Sequence, residues 1–479
     1  MKKIVFGFLS LLAAGCVACS HSGTEDNKEE TDTTTLPEQN LGRAISIIET
    51  AFEDYSGDGT MALSMKYNPF TQQRSSDLVS IWEYTSTMEA VAASMNAMAA
   101  LRDAGFSSLY DSKFESFRSL LERIYEGMQY YKGTFTLTSY TGTATWSPYG
   151  VNRGSAPGTA GVDGILNVYD DQMWIIRELI NSYRATGNSG YLAEAEYLTS
   201  YVLDGWDCTL DSEGNENGGI TWGPGYVTKH TCSNGPLISP LVWLSELYKG
   251  KSDKITFGIV NSDRTRSRKT ELKETYYKEM AVKIYKWQKN CLLRSDGVYD
   301  DLMGGYYTGG GHPEYETVDG VQYRKNTDVP NREGPAYTYN SGTPLSGAAD
   351  LYRVTSDPSY LSDAKVLADA SFSYFAKYGS SRQGYYSYSV DNVWFHDVLL
   401  RGFQAVSEYY DKADLYVNSF QDNLDFGWEN YLKNGMLPIS LLAGWNKDSS
   451  KNEVNLMYTF ARAAEYANLA VYQLKNANN

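Results

Sequence analysis

Residues 183–195 read Y-R-A-T-G-N-S-G-Y-L-A-E-A, and residues 352–364 read Y-R-V-T-S-D-P-S-Y-L-S-D-A. Each stretch is one unit: a helix closing on a Tyr-Arg pair, a tight turn of Gly, Ser, Asp, Asn or Pro, and a second helix opening on Tyr-Leu. The same logic fits the chain near 247–253, with a longer insertion, 251–273, before Tyr276. Repeated helical hairpins make a solenoid or a closed toroid. Outward from these turns the apolar spacing is helical. Over 78–104 it places Ile81, Met88, Val91, Ala92, Met95, Met98 and Leu101 on one side. Further helices are predicted over 42–54, 113–131, 170–186, 190–205, 236–249, 273–292, 342–354, 358–378, 395–411, 412–433 and 453–474, with few strands. About twelve helices suit six hairpins closed into an all-α (α/α)6 barrel. An open tetratricopeptide array needs a period near ~34 residues, and the spacing in this chain is longer and irregular.

The connections at 134–167, 207–236, 295–338 and 379–393 are long and rich in Gly, Tyr, Thr and Asp. Loops of such length in a compact domain are usually functional, and these are expected to form an open cleft. Their aromatics include Tyr140, Trp146, Tyr149, Trp222, Tyr226, Tyr306, Tyr307 and Tyr337. Sugar rings stack on aromatic faces and offer hydroxyls to Asp, Asn and Lys. Each of these rings could equally fill a gap between helices.

The whole chain has 479 residues with 42 Lys plus Arg against 58 Asp plus Glu, a net charge of −16. That balance argues against a nucleic-acid partner and against electrostatic docking on anionic lipid. Four His and five Cys leave little for a metal site, and none stands in ligand spacing. Neither a G-x-S-x-G elbow nor a phosphate loop is present.

The N-terminus begins M-K-K, continues with an apolar run from Ile4 to Leu12, and ends L-A-A-G-C-V-A-C-S. This pattern is an export signal, too short to span a membrane as a helix. Its end resembles a bacterial lipobox, with Cys16, or else Cys19, as the lipidated residue. A signal at 1–15, an acidic Thr-rich tether at 16–40 and one domain at 41–479 are therefore expected. An outer-membrane lipoprotein follows, facing the cell surface or the periplasm. Of the remaining cysteines, Cys208 and Cys232 span the shorter loop and could pair in an oxidising compartment, leaving Cys291.

Residues 167–174 read N-V-Y-D-D-Q-M-W and open a predicted helix. Acidic residues in a first helical turn ordinarily serve as caps and dipole partners. Two adjacent carboxyls can also share a site. A retaining glycosidase needs its pair only ~5 Å apart, and such proximity pushes the two pKa values apart so that one group stays protonated. A second pair, Asp300-Asp301, lies in a Gly-flanked loop and reads as either substrate contact or loop structure.

The segment Y-D-D-Q-M-W resembles the signature of glycoside hydrolase family 76, the endo-α-1,6-mannanases. Further segments follow in the family's order: Gly205-Trp206-Asp207, Gly218-Gly219-Ile220-Thr221-Trp222, Lys229 and Asn234 within K-H-T-C-S-N-G-P, Gly297-Val298-Tyr299-Asp300, and Thr338-Tyr339-Asn340-Ser341-Gly342. His230 stands where Asn is usual and Ser341 where Gln is usual. The resemblance implies an α/α six-hairpin barrel that cleaves α-1,6-mannan with retention. It implies Asp170 as nucleophile, Asp171 as general acid/base, and Trp222, Lys229, Asn234, Asp300, Tyr339 and Asn340 as substrate contacts. No cofactor or metal is implied, and a monomer is expected. The competing expectations are a non-catalytic glycan-binding lipoprotein and another α/α-barrel glycosidase or lyase.

Overall fold

The computed structural model describes residues 34–56, 61–305, 312–329 and 331–477. The expected signal, Cys16, Cys19, Tyr306 and Tyr307 lie outside the described residues. Twelve α-helices are described: α1 (Leu36–Tyr55), α2 (Ile81–Asp103), α3 (Ser108–Met128), α4 (Tyr169–Thr186), α5 (Ser189–Asp204), α6 (Ile238–Leu247), α7 (Lys273–Leu292), α8 (Thr338–Thr355), α9 (Pro358–Phe375), α10 (Trp394–Ser407), α11 (Ala413–Tyr431) and α12 (Leu456–Ala477). The even-numbered helices form a closed inner ring, each packed on the next and α12 back on α2. Helices α3, α5, α7, α9 and α11 each cover the inner helix before them, and α1 covers α12. The sixth hairpin thus joins the two ends of the chain. Because α1 begins at Leu36, residues 36–40 belong to the barrel and not to the expected tether. Asn40 is buried there, its side-chain amide exchanging hydrogen bonds of 2.8 and 3.0 Å with that of Gln421.

Outer helices are amphipathic. α3 buries Phe114, Phe117, Leu121, Ile124 and Met128 and exposes Glu115, Arg118 and Glu122. Inner helices are enclosed all round and use small residues to approach one another. In α12, Ala461, Ala463, Ala464, Ala467 and Ala470 are all buried. Where α8 crosses α10, a Cβ on Gly342 would lie 2.5 Å from the Val398 carbonyl oxygen.

The repeated turns share one geometry. Gly187 and Ser356 both adopt the left-handed conformation (φ +71° and +57°) that ends α4 and α8. Asn188 and Asp357 follow as N-caps of α5 and α9, each accepting an N–H two residues on at 2.9 Å. Inner-to-outer connections are therefore short, except between α6 and α7. Outer-to-inner connections are long, 376–393 being the shortest, and all lie at the N-terminal ends of the inner helices. The long loops so share one mouth of the barrel.

The outer-to-inner connections, and the long one between α6 and α7, carry short antiparallel strands: β1 (Lys66–Asn68), β2 (Gln73–Arg74), β3 (Phe135–Thr138), β4 (Thr143–Trp146), β5 (Lys229–His230), β6 (Lys254–Val260), β7 (Arg266–Leu272), β8 (Leu302–Met303), β9 (Tyr315–Val318), β10 (Val321–Arg324) and β11 (Arg332–Glu333), with β6 and β7 between α6 and α7. The expected insertion is the β6–β7 hairpin. Cys208, Cys232 and Cys291 are free thiols, so the expected 208–232 pair is not formed. Cys208 packs in the main core while Cys232 joins a separate aromatic cluster.

Ser356 holds a conformation that costs a non-glycine residue about 1–2 kcal/mol. Ser356→Gly is expected to raise the urea midpoint, by the equivalent of about 0.5–1 kcal/mol after glycine's extra unfolded-state freedom. Gly187→Ala should lower it by a similar amount. An unchanged or lower midpoint for Ser356→Gly would show that the turn carries no strain.

Candidate active site

The chain reaches α4 through a segment clamped on both sides. Asn167 is held by Tyr201, whose hydroxyl donates at 2.6 Å. Gly223 and Gly225 press on the same segment. A Cβ on Gly223 would lie 2.7 Å from the Asn167 carbonyl oxygen, and one on Gly225 2.5 Å from the Gly164 carbonyl carbon. The Tyr169 N–H then donates to the Trp222 carbonyl at 2.7 Å. Loop 218–230 is thereby fixed against the start of α4.

That clamp delivers an indole to the first carboxyl. Trp222 Nε1 donates to Asp170 Oδ2 at 3.1 Å, and the Asp171 N–H donates to Asp170 Oδ1 at 2.7 Å. The Cys232 thiol, which burial keeps protonated, is a third donor. Trp222 packs on Tyr226 (centroids 4.7 Å apart) and stacks on His230 (4.9 Å, 14° between planes). His230 is neutral, because burial pushes its imidazole down to about 3, and it hydrogen-bonds the Thr228 hydroxyl at 2.9 Å.

Asp171 has a different environment. It is 6% exposed, and among the described residues no donor reaches its carboxyl. Burial, and then the Asp170 charge, hold its pKa well above the usual carboxylate range. Burial raises Asp170 as well, but its donors oppose the shift. Asp170 therefore ionises first and Asp171 keeps its proton.

A third carboxyl, Asp301, joins the pair. Tyr339 donates to it at 2.6 Å, and its pKa is pushed up to about 6, by burial first and also by the Asp170 charge, against hydrogen bonds from Tyr339 and Asn340. The sequence singles out Asp300, whose carboxylate instead faces Arg332 at 3.3 Å and Arg294 at 3.6 Å. Lys229 is buried in a pair with Asp207 (2.9 Å) and also donates to the Gly218 carbonyl at 2.6 Å. The Asn234 side chain ties Ile220 to His230. The structure thus brings Trp222, Tyr339 and Asn340 to the carboxyls, while Lys229, Asn234 and Asp300 brace the surrounding loops.

Beside the carboxyls lies an aromatic cluster of Trp82, Trp174, Tyr337, Tyr339, Trp394 and Phe395, drawn from the N-terminal turns of α2, α4, α8 and α10. Trp394 meets Trp174 edge-on at 4.7 Å, and its indole N–H donates to buried Glu89 at 2.7 Å. Glu89 is in turn paired with Arg401 and, at 3.5 Å, with Arg177. Among the described residues no three His, Cys, Asp or Glu are grouped as metal ligands.

Residues 160–251 and 267–471 match the family model described as glycosyl hydrolase family 76. No curated protein matches the chain. Among solved structures it is similar to a family 76 mannosidase from Bacteroides thetaiotaomicron (20% identity, 92% of this chain and 100% of that one, TM-score 0.66). It is also similar to an inactive α-1,6-mannanase of Salegentibacter sp. HEL1_6 in complex with α-1,6-mannotriose, a variant with two consecutive aspartates changed to asparagine (17% identity, 90% and 99% coverage, TM-score 0.58). A D-mannose isomerase shares the fold at 10% identity (93% and 99% coverage, TM-score 0.56).

Asp301 gives a pH-dependent stability. Its carboxyl binds a proton more tightly folded than unfolded, so its contribution is full below about pH 4 and is lost as pH rises through about 6. Asn at this position loses nothing. The melting-temperature difference, Asp301→Asn minus wild type, is expected to grow between pH 4 and 6 and then level off. A difference independent of pH would show that Asp301 does not titrate in this window.

Proposed function

The chain belongs to glycosyl hydrolase family 76 and is a glycoside hydrolase; on that premise we propose that it is a retaining endo-α-1,6-mannosidase. Asp170 attacks the anomeric carbon, and Asp171 protonates the departing glycosidic oxygen. A mannosyl-enzyme forms on Asp170. Asp171, now ionised, takes a proton from water, which releases the sugar and restores both groups. The observation that carries this reading is the unlike setting of the two adjacent carboxyls. Asp170 has three donors that favour its charge, and Asp171 has burial and a charged neighbour that favour its proton. Six inner helices present their N-termini to this mouth, which also favours an anionic nucleophile.

The choice of α-1,6-mannan rests on the family and on the mannotriose held by the Salegentibacter relative. In this reading Asp301 and Tyr339 hold sugar hydroxyls beside the reacting centre, and mannose units stack on the aromatic cluster. The anchor belongs to the same proposal: an outer-membrane lipoprotein attached through Cys16 or Cys19, acting as a monomer on mannan outside the cytoplasm.

The domain from Leu36, incubated with unbranched α-1,6-mannan, is expected to release manno-oligosaccharides. Their newly formed ends should appear first as the α-anomer by proton NMR, and β-product would overturn retention. Asp170→Asn and Asp171→Asn should each lower turnover by at least about 10²–10⁴-fold at unchanged melting temperature. For wild type, kcat/KM should fall on the alkaline side as Asp171 loses its proton. Near-wild-type activity in either Asn variant would refute the nucleophile and acid/base roles. Mannan that retards the protein in an affinity gel without being cleaved would point to a binding lipoprotein.

For the anchor, an alkyne-palmitate label is expected on the full-length protein and to vanish with one of Cys16→Ser or Cys19→Ser. Label retained in the double variant would overturn lipidation.

A further inference from the structure

The match to the family model omits residues 252–266, which carry all of β6, the turn to β7 and Arg266, the first residue of β7. This hairpin interrupts the one inner-to-outer connection that is not short. It therefore starts at the barrel mouth opposite the carboxyls. Seven paired residues, Lys254 with Leu272 through Val260 with Arg266, carry it about 23 Å at ~3.3 Å per residue. Its turn arrives beside the catalytic mouth, where Arg264 donates to the Asp211 carbonyl at 3.0 Å.

At that upper end the Arg266 side chain is buried and grips a second hairpin. Its guanidinium pairs with Glu316 of β9 at 2.5 Å and lies 4.6 Å from the ring centroid of Tyr323 of β10. Glu316 and Tyr323 are cross-strand partners, so one side chain clamps both strands. The next residue, Arg324, is 3% exposed. Its backbone N–H donates to the Ser139 carbonyl at 2.9 Å, and its guanidinium donates to the carbonyls of Pro224 (3.1 Å) and Tyr226. Tyr226 packs on Trp222, and Trp222 donates to Asp170. A continuous path of contacts joins the far-side insertion to the nucleophile. Beyond Arg324 the β9–β10 hairpin stands largely exposed, with Tyr315 and Val321 open to solvent.

We propose that the β6–β7 hairpin is a strut and Arg266 its positioning residue, fixing the β9–β10 hairpin beside the catalytic loop as a wall that holds mannose units beyond the two flanking the cut. This rests on the function proposed above. A guanidinium with a carboxylate on one side and a ring on the other is worth more than an exposed ion pair, because both strands lose it together.

The test compares wild type, Arg266→Ala and Glu316→Gln in the domain from Leu36. Hydrogen exchange over 315–324 should quicken in both variants while exchange over α4 stays as in wild type. KM for long unbranched α-1,6-mannan should rise about tenfold, the equivalent of one charge-assisted hydrogen bond. KM for α-1,6-mannobiose, which fills only the two positions flanking the cut, should not move, nor should kcat or the pH profile. Unchanged exchange over 315–324 would overturn the strut. Faster exchange with KM unchanged on mannan would overturn the wall. Should wild type leave α-1,6-mannan intact, the proposed function fails and the wall with it, while exchange still decides whether Arg266 holds the hairpin.

Discussion

Two carboxyl groups on consecutive residues cannot both carry charge at low energy where burial strips away most of their water. The rest of the molecule is arranged around that constraint. The hydrogen bond from the Tyr169 N–H to the Trp222 carbonyl sets the register of loop 218–230 against α4. The indole N–H then reaches Asp170. Lys229, Asn234 and the glycines at 218, 219, 223 and 225 hold that loop in place. At Gly219 (φ +77°) an added Cβ would lie 2.4 Å from the Trp287 ring, so only glycine fits there. The cleft's asymmetry is therefore a backbone property of the loop before it is a side-chain property of the pair.

Below the carboxyls, the same demand for pairing runs into the barrel interior. Glu89, from α2, serves Trp394 of α10 and lies among Arg177 of α4 and Arg401 of α10. Burial pushes the Arg401 guanidinium down to about 9. Buried charges of this kind are weak sources of net stability but severe to disrupt one at a time. They tie three inner helices together directly under the aromatic cluster. Removing one of these partners would leave an uncompensated charge beneath Trp394.

The helices are legible in the sequence because their apolar spacing and punctuation are redundant. The Gly187 and Ser356 turns repeat the same cap chemistry at the same offset, and all twelve expected helices are present. The boundaries are less legible at the ends. Leu36 to Asn40 read as tether because their partner, Gln421, lies almost four hundred residues away. The Asp170–Asp171 pair can be read because both carboxyls lie on one helix start. Asp301 cannot be chosen over Asp300 from sequence, since side chains of adjacent residues in an extended segment point to opposite faces and nothing local says which face is the cleft. Lys229 and Asn234 have the chemistry of sugar ligands, but burial turns them inward. Cys232 has the look of half a disulfide and proves to be a donor to Asp170.

The pairing of α1 with α12 sets the order of synthesis against the order of assembly. Of the described helices, α1 leaves the ribosome first and packs on α12, the one made last, so the ring cannot close until α12 has been made. Until then α2 lacks a neighbour on one side, and the unclosed ring exposes the faces of α2 and α10 that α12 covers. Closure across more than four hundred residues makes this barrel a fold of distant contacts, which assemble slowly. A chain that stops short of α12 is thus a sticky, open arc and not a smaller barrel, and its fate depends on whatever shields those faces during synthesis.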